Sequence, residues 1–222
     1  MRWEKRHAPS YTTLAVYLDP GESVTAEAGA FLYGLGDFEV KTSAGGLLSG
    51  IARAVLGGES LFLNTYVARG GGATLAFAPH LPGDVEYIPL RGEEWFIQDA
   101  SYVAHHGDVK VSVGWRGVRG WLAQGELVWL KASGTGGVWV SAYGAVEKIE
   151  LGPGQTVVVD NNHFVAMPAT MRWRVRKLGG VKSFLFGGEG IVMEVEGPGT
   201  LYIQTRILDP LAAFIAKLLG RG

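Results

Sequence analysis

Three glutamates, Glu59, Glu126 and Glu189, each follow a glycine and lie just ahead of an apolar run. Gathered around an axis they would make a three-carboxylate site suited to a cation or to acid–base work. The plainer role is turn stabilisation, because a repeated fold repeats its turns and acids there accept backbone N–H groups. The five histidines, His7, His80, His105, His106 and His163, do not show the close His-x-His and carboxylate cluster of a metal-binding barrel. His105 and His106 are adjacent, so on a strand they point to opposite faces. The chain has no Gly-x-Ser-x-Gly elbow, phosphate loop or dinucleotide fingerprint. It also has no cysteine, which removes thiol chemistry, disulfides and zinc ribbons. No catalytic residue, metal ligand or cofactor is assigned.

Two stretches have the composition of contact sites. Trp115, Arg116, Arg119 and Trp121 share the glycine-rich loop VGWRGVRGW, a candidate aromatic and basic surface for stacking or for an anion. Its blander reading is a hairpin tip that covers the core. Arg172, Arg174 and Arg176 alternate with Trp173 and Val175, which on a strand places the cations on one solvated face. Trp95, Trp129, Trp139 and Trp173 sit in apolar strand contexts and read as core.

The elements that would carry these residues follow a repeat. Phe186–Arg206 reads as a Gly-Gly-Glu turn, a strand, a Gly-Pro-Gly turn and a second strand, and 57–78 and 123–143 echo it. The turn phrase Asp19-Pro20-Gly21-Glu22 returns as Leu90-Arg91-Gly92-Glu93 and Leu151-Gly152-Pro153-Gly154-Gln155, with glycine taking the left-handed position. A strand ending in an acid follows each turn, at Glu27, Asp99 and Asp160. Short strands at regular spacing with glycine turns indicate a sandwich or barrel-like all-β fold. The expectation is one β-repeat domain over 1–222, with three sandwich-like modules at about 11–90, 91–150 and 151–208 in a pseudo-threefold arrangement. Two short amphipathic helices are expected. The first carries Leu47, Leu48, Ile51 and Val55. The second spans 209–220, with Asp209 as N-cap, Pro210 at its first position and a stripe of Leu211, Phe214, Ile215, Leu218 and Leu219.

The bulk numbers restrict function. In 222 residues, 47% are apolar and 18% charged, with a formal net charge of -1. That describes a globular chain and counts against a dedicated nucleic-acid binder, whose affinity comes largely from phosphate contacts. The N-terminal stretch has no apolar signal region and no run approaches a membrane span, so a cytoplasmic protein is expected.

The ordered set Gly45–Gly58, Glu59-Ser60-Leu61-Phe62, Leu81-Pro82-Gly83-Asp84, Val159-Asp160, Gly187-Gly188-Glu189-Gly190, Gly197-Pro198-Gly199 and Gln204-Thr205-Arg206 resembles the altered inheritance of mitochondria family, over about 21–206. The resemblance implies a fold similar to the tryptophan RNA-binding attenuation protein, with β-sandwich repeats and a homotrimer. It carries over no catalytic residues. The inner-membrane role of mitochondrial members is not transferred, because no targeting presequence is recognised here. The resulting expectation is a non-enzymatic oligomeric scaffold or binding protein with a protein or membrane-surface partner. RNA binding by fold analogy and a metal- or carboxylate-dependent enzyme are the alternatives.

Overall fold

A computed structural model describes residues 1–42, 62–116, 128–177 and 191–220. The expected helix around Leu47–Val55 and the glutamates Glu59, Glu126 and Glu189 lie outside the described residues, as do Arg119 and Trp121. The described chain is all-β, with fourteen strands and one helix.

The three turn phrases form as their residue types dictate. Gly21, Gly92 and Gly154 adopt φ of 85°, 105° and 74°. In each turn a side chain also reaches back to the main chain. Asp19 N–H donates to Glu22 Oε2 at 2.9 Å, Arg91 N–H to Glu93 Oε2 at 2.9 Å and Gly152 N–H to Gln155 Oε1 at 2.7 Å. The acid or amide ending each phrase therefore closes its turn.

Around these turns the strands pair in a fixed manner. β1 (Arg2–Arg6) lies at one edge against β2 (Thr13–Leu18). β3 (Ser23–Glu27) and β4 (Phe31–Thr42) follow, and then β5 (Leu63–Phe77). The C-terminal half of β5 pairs with β2, its N-terminal half pairs with β3, and β4 covers its other edge. β6 (Val85–Gln98) continues through residue 90, where the sequence division sets a boundary, and pairs along its length with β8 (Val128–Ser141). A bulge at Arg91–Glu94 separates its two halves. β7 (Tyr102–Arg116) takes the other edge of β8.

In the last third the strands are shorter. β9 (Val146–Leu151) pairs with β14 (Gly199–Gln204), and β10 (Thr156–Asp160) pairs with β13 (Ile191–Glu196). β11 (Phe164–Pro168) and β12 (Arg172–Lys177) cover the other edges of β14 and β13. Two narrow seams join the sets. Thr25 and Ala26 of β3 pair with His105 and Ala104 of β7, and Trp95, Phe96 and Ile97 of β6 pair with Pro168, Met167 and Ala166 of β11.

The core divides into clusters that straddle these seams. The first holds Leu14, Tyr66, Leu75 and Phe77 and takes in Val103 and Trp139. The second holds Ile88, Tyr102 and Leu130 and takes in Val165 and Tyr202. The third gathers Phe164, Met167, Met193 and Leu201 around Trp129. Each seam is thus sealed by apolar side chains from both sides, which contributes more than its few hydrogen bonds.

The helix α1 spans Leu208–Leu218. It begins earlier than the expected Asp209 cap: Ile207 occupies the N-cap without a side-chain bond, and Asp209 sits in the first turn. Asp209 instead accepts from Asn162 Nδ2 at 3.4 Å. None of the helix residues is buried.

Candidate functional site

Titratable side chains converge at the seam of β3 and β7. Glu27 ends β3, and its Oε2 lies 3.5 Å from Nδ1 of the exposed His80. Burial, reinforced by the negative charge of Asp99, pushes the Glu27 carboxyl up to about 7. Behind it, Tyr102 Oη and His105 Nδ1 share a hydrogen bond of 2.7 Å. Burial lowers His105 to about 4, so its ring is neutral at pH 7, and the same burial raises Tyr102. The arrangement holds a carboxylic acid near neutrality beside a neutral imidazole–phenol pair. Among the described residues, no group of three His, Cys, Asp or Glu is placed to hold a metal ion.

His106 points to the opposite face, as adjacency on a strand requires. Its Nε2 meets Tyr87 Oη at 2.9 Å, and the two rings pack with Trp139. His163 donates from Nδ1 to the Gln204 carbonyl at 2.6 Å and ties a short turn to β14.

A small pocket of about 180 Å³ opens where strand ends and turns from the middle and last sets meet the start of α1. Gln98, Ser101, Ser141, Tyr143, Asn162 and Gln204 line it. These groups bond mainly to one another. Gln204 Oε1 accepts from Tyr143 N–H at 3.0 Å, and its Nε2 donates to the Asn162 carbonyl at 2.8 Å. Ser101 Oγ donates to Gln98 Oε1 at 3.2 Å. The wall is a self-satisfied polar network.

The sequence-derived contact residues distribute differently from their expected grouping. Trp115 is half-buried in β7, 4.9 Å from Trp129 and 5.1 Å from Trp173 between ring centres. It seals the third apolar cluster rather than standing on a loop. Only the strand backbone of Arg116 is described. Arg172, Arg174 and Arg176 do share one face of β12, but β13 sets Glu196 opposite Arg172 and Glu194 opposite Arg174, and Arg176 reaches Glu194 diagonally. Arg174 donates to Glu194 Oε1 at 2.5 Å and Arg176 to Glu194 Oε2 at 2.9 Å, while Arg172 lies 3.9 Å from Glu196. Both arginines hold the Glu194 carboxyl below its ordinary range. The face is a zipper of mixed charge.

Sequence reasoning missed the Glu27 cluster. It grouped Glu27, Asp99 and Asp160 as equivalent turn acids, and Asp160 does accept from Asn162 N–H at 2.9 Å. The structure instead places Gln98, not Asp99, at the strand end that matches Glu27; Asp99 opens the following turn. No local signal brings these groups together: the register of β3 on β7 sets His105 opposite Thr25, and His80 reaches Glu27 from the connection between β5 and β6.

Among the described residues, exposed apolar side chains recur along α1 and, separately, along β4. Leu211, Phe214, Ile215, Leu218 and Leu219 are all exposed, Phe214 at 58% and Leu218 at 70%. Phe31, Leu32, Tyr33 and Leu35 of β4 are exposed as well.

This all-β chain belongs to the family described as Mitochondrial biogenesis AIM24, which matches residues 3–206. An uncharacterised protein of Streptococcus pyogenes serotype M6 is 25% identical over 228 residues, covering 99% of this chain and 91% of its own. A crystal structure of a Streptococcus pyogenes protein, also 25% identical, superposes with a TM-score of 0.80 over 98% of this chain and 99% of its own. Among the described residues no helix is long and apolar enough to cross a membrane.

Proposed function

We propose that the protein is a non-enzymatic scaffold that assembles with copies of itself, three modules to a chain and three chains to an assembly. The exposed apolar stripe of α1 carries this reading. A helix with Leu211, Phe214, Ile215, Leu218 and Leu219 in water is a contact surface awaiting burial. The module count draws support from pairing. In the first third β5 takes β2 and β3 on one edge and β4 on the other, in the middle third β8 takes β6 and β7, and in the last third β13 and β14 each take one partner on either edge. The neutralised arginine face favours a protein partner over a polyanion. Native mass spectrometry tests the proposal: a trimer that Phe214→Glu dissociates supports it. A wild-type monomer, or a trimer indifferent to charge on the stripe, overturns it. If the monomer floats with phosphatidylglycerol vesicles, the stripe serves a membrane surface instead.

A further inference from the structure

The pocket where the middle and last sets meet the start of α1 has more hydrogen-bonding capacity than its own wall consumes. The internal bonds fix that wall: Ser101, Ser141 and Gln204 are 2%, 9% and 9% exposed, and the Gln204 amide is engaged at both of its ends. Specific groups are left over. Ser141 Oγ makes a single long bond of 3.4 Å, to the Ser101 carbonyl, and its lone pairs remain open. Among the described residues, Gln98 Nε2, Asn162 Oδ1 and Tyr143 Oη make no hydrogen bond, and the Asp209 carboxylate accepts only the 3.4 Å bond from Asn162 Nδ2. The buried side-chain atoms without a partner, among the described residues, belong to Trp95, Trp129, Trp139 and Asn161, so the free groups of the pocket stay open to an incoming molecule. Leu81, Ile207 and Leu208 add apolar surface to the lining.

We propose that this pocket binds one neutral sugar ring. The spare groups comprise a donor at Gln98, acceptors at Ser141, Asn162 and Asp209, and a phenol at Tyr143 that does either. A partner that satisfies them donates and accepts at several neighbouring points, as adjacent hydroxyls on a ring do. Asp209 is the one charged side chain in the lining, which disfavours a phosphate or carboxylate ligand. A lone carboxylate among neutral groups is also a poor cage for a metal ion. The apolar side chains suit the C–H face of the ring, in the usual division of a small-molecule site between an apolar wall and a few placed polar groups. Size narrows the choice. A volume of about 180 Å³ corresponds to roughly six water molecules at ~30 Å³ each, which admits one hexose, whereas a nucleotide or longer saccharide would overrun it.

A single chain supplies the whole lining, so the test does not depend on whether copies assemble. The full chain is titrated with D-glucose, D-galactose and D-mannose in turn, by calorimetry and by saturation-transfer NMR. At least one is expected to bind with a Kd of about 1 mM, the range open to a ligand of so few atoms. Asn162→Ala and Asp209→Ala should each weaken that binding about tenfold, the loss of one good hydrogen bond, with the melting temperature unchanged. Arg206→Ala, in the neighbouring depression beside Pro9 and Thr205, should leave the Kd as it is. Silence from all three hexoses at concentrations well above the expected Kd overturns the proposal, as does binding that both pocket variants leave intact. Inorganic phosphate or glycine binding at the same residues in place of the hexoses overturns the ligand class.

Discussion

Glu27 is a carboxyl held near neutrality, and its replacement has a calculable pH signature. The folded chain keeps the Glu27 proton up to about pH 7, whereas the unfolded chain releases it near the ordinary value of 4.5. Between those values the folded state binds more protons, so stability falls as pH rises, and the deficit is complete above pH 7. The full shift corresponds to about 3 kcal/mol, and the partial exposure of the side chain brings the expectation to about 1–2 kcal/mol. Glu27→Gln keeps the shape and removes the charge; Gln98 already stands at the matching position of β6. The variant should exceed the parent by that amount in urea denaturation at pH 8 and converge with it at pH 4. His105 acts in the opposite sense. Its folded value of about 4 lies below the ordinary imidazole value of 6.5, so stability is lost as pH falls through that window. The two slopes oppose each other in the parent, and only the difference between variant and parent isolates Glu27. A difference that stays constant from pH 4 to pH 8, or a parent that is the more stable at pH 8, would refute the assignment of burial as the cause.

Three further outcomes are expected. Trp129→Ala opens a cavity among Phe96, Trp115, Phe164 and Trp173 and should cost about 3–5 kcal/mol in chemical denaturation. Gly134→Ala meets two obstacles: φ is +121° and a Cβ would overlap the Asp108 carbonyl oxygen. A loss of roughly 1–3 kcal/mol from backbone strain alone should appear as a lower melting temperature. Glu194→Gln releases Arg174 and Arg176 from their partner, so the variant should elute from heparin at higher salt than the parent, with its melting temperature unchanged.

Local chemistry was legible in the sequence and long-range register was not. Gly21, Gly92 and Gly154 announced their turns because positive φ is a property of the residue itself. Trp129 and Trp139 announced a core because they sit within apolar runs, and both are fully buried. By contrast, the zipper of Arg174 and Arg176 on Glu194 depends on how β12 aligns with β13. Either strand alone reads as a charged face. Trp115 reads as a loop residue beside Arg116 and Gly117, and only its pairing opposite Trp129 places it under cover. The α1 stripe was legible as a stripe, but its burial could not be read, because what covers a helix lies outside its own periodicity. The start of α1 shifted for a local reason: Ile207 is in an extended conformation that enters the helix without side-chain help, so Asp209 was not needed as a cap.

The seams have a mechanical consequence. In the middle of the chain neighbouring strands run together for many residues, twelve register pairs between β6 and β8 and thirteen between β7 and β8. Between sets the main-chain connection narrows to two pairs at β3–β7 and three at β6–β11. Under a pulling force the chain is therefore a string of stiff links with yielding joints. Extension should proceed in steps, the β3–β7 joint parting first, with each link surviving long enough to be counted before it unravels.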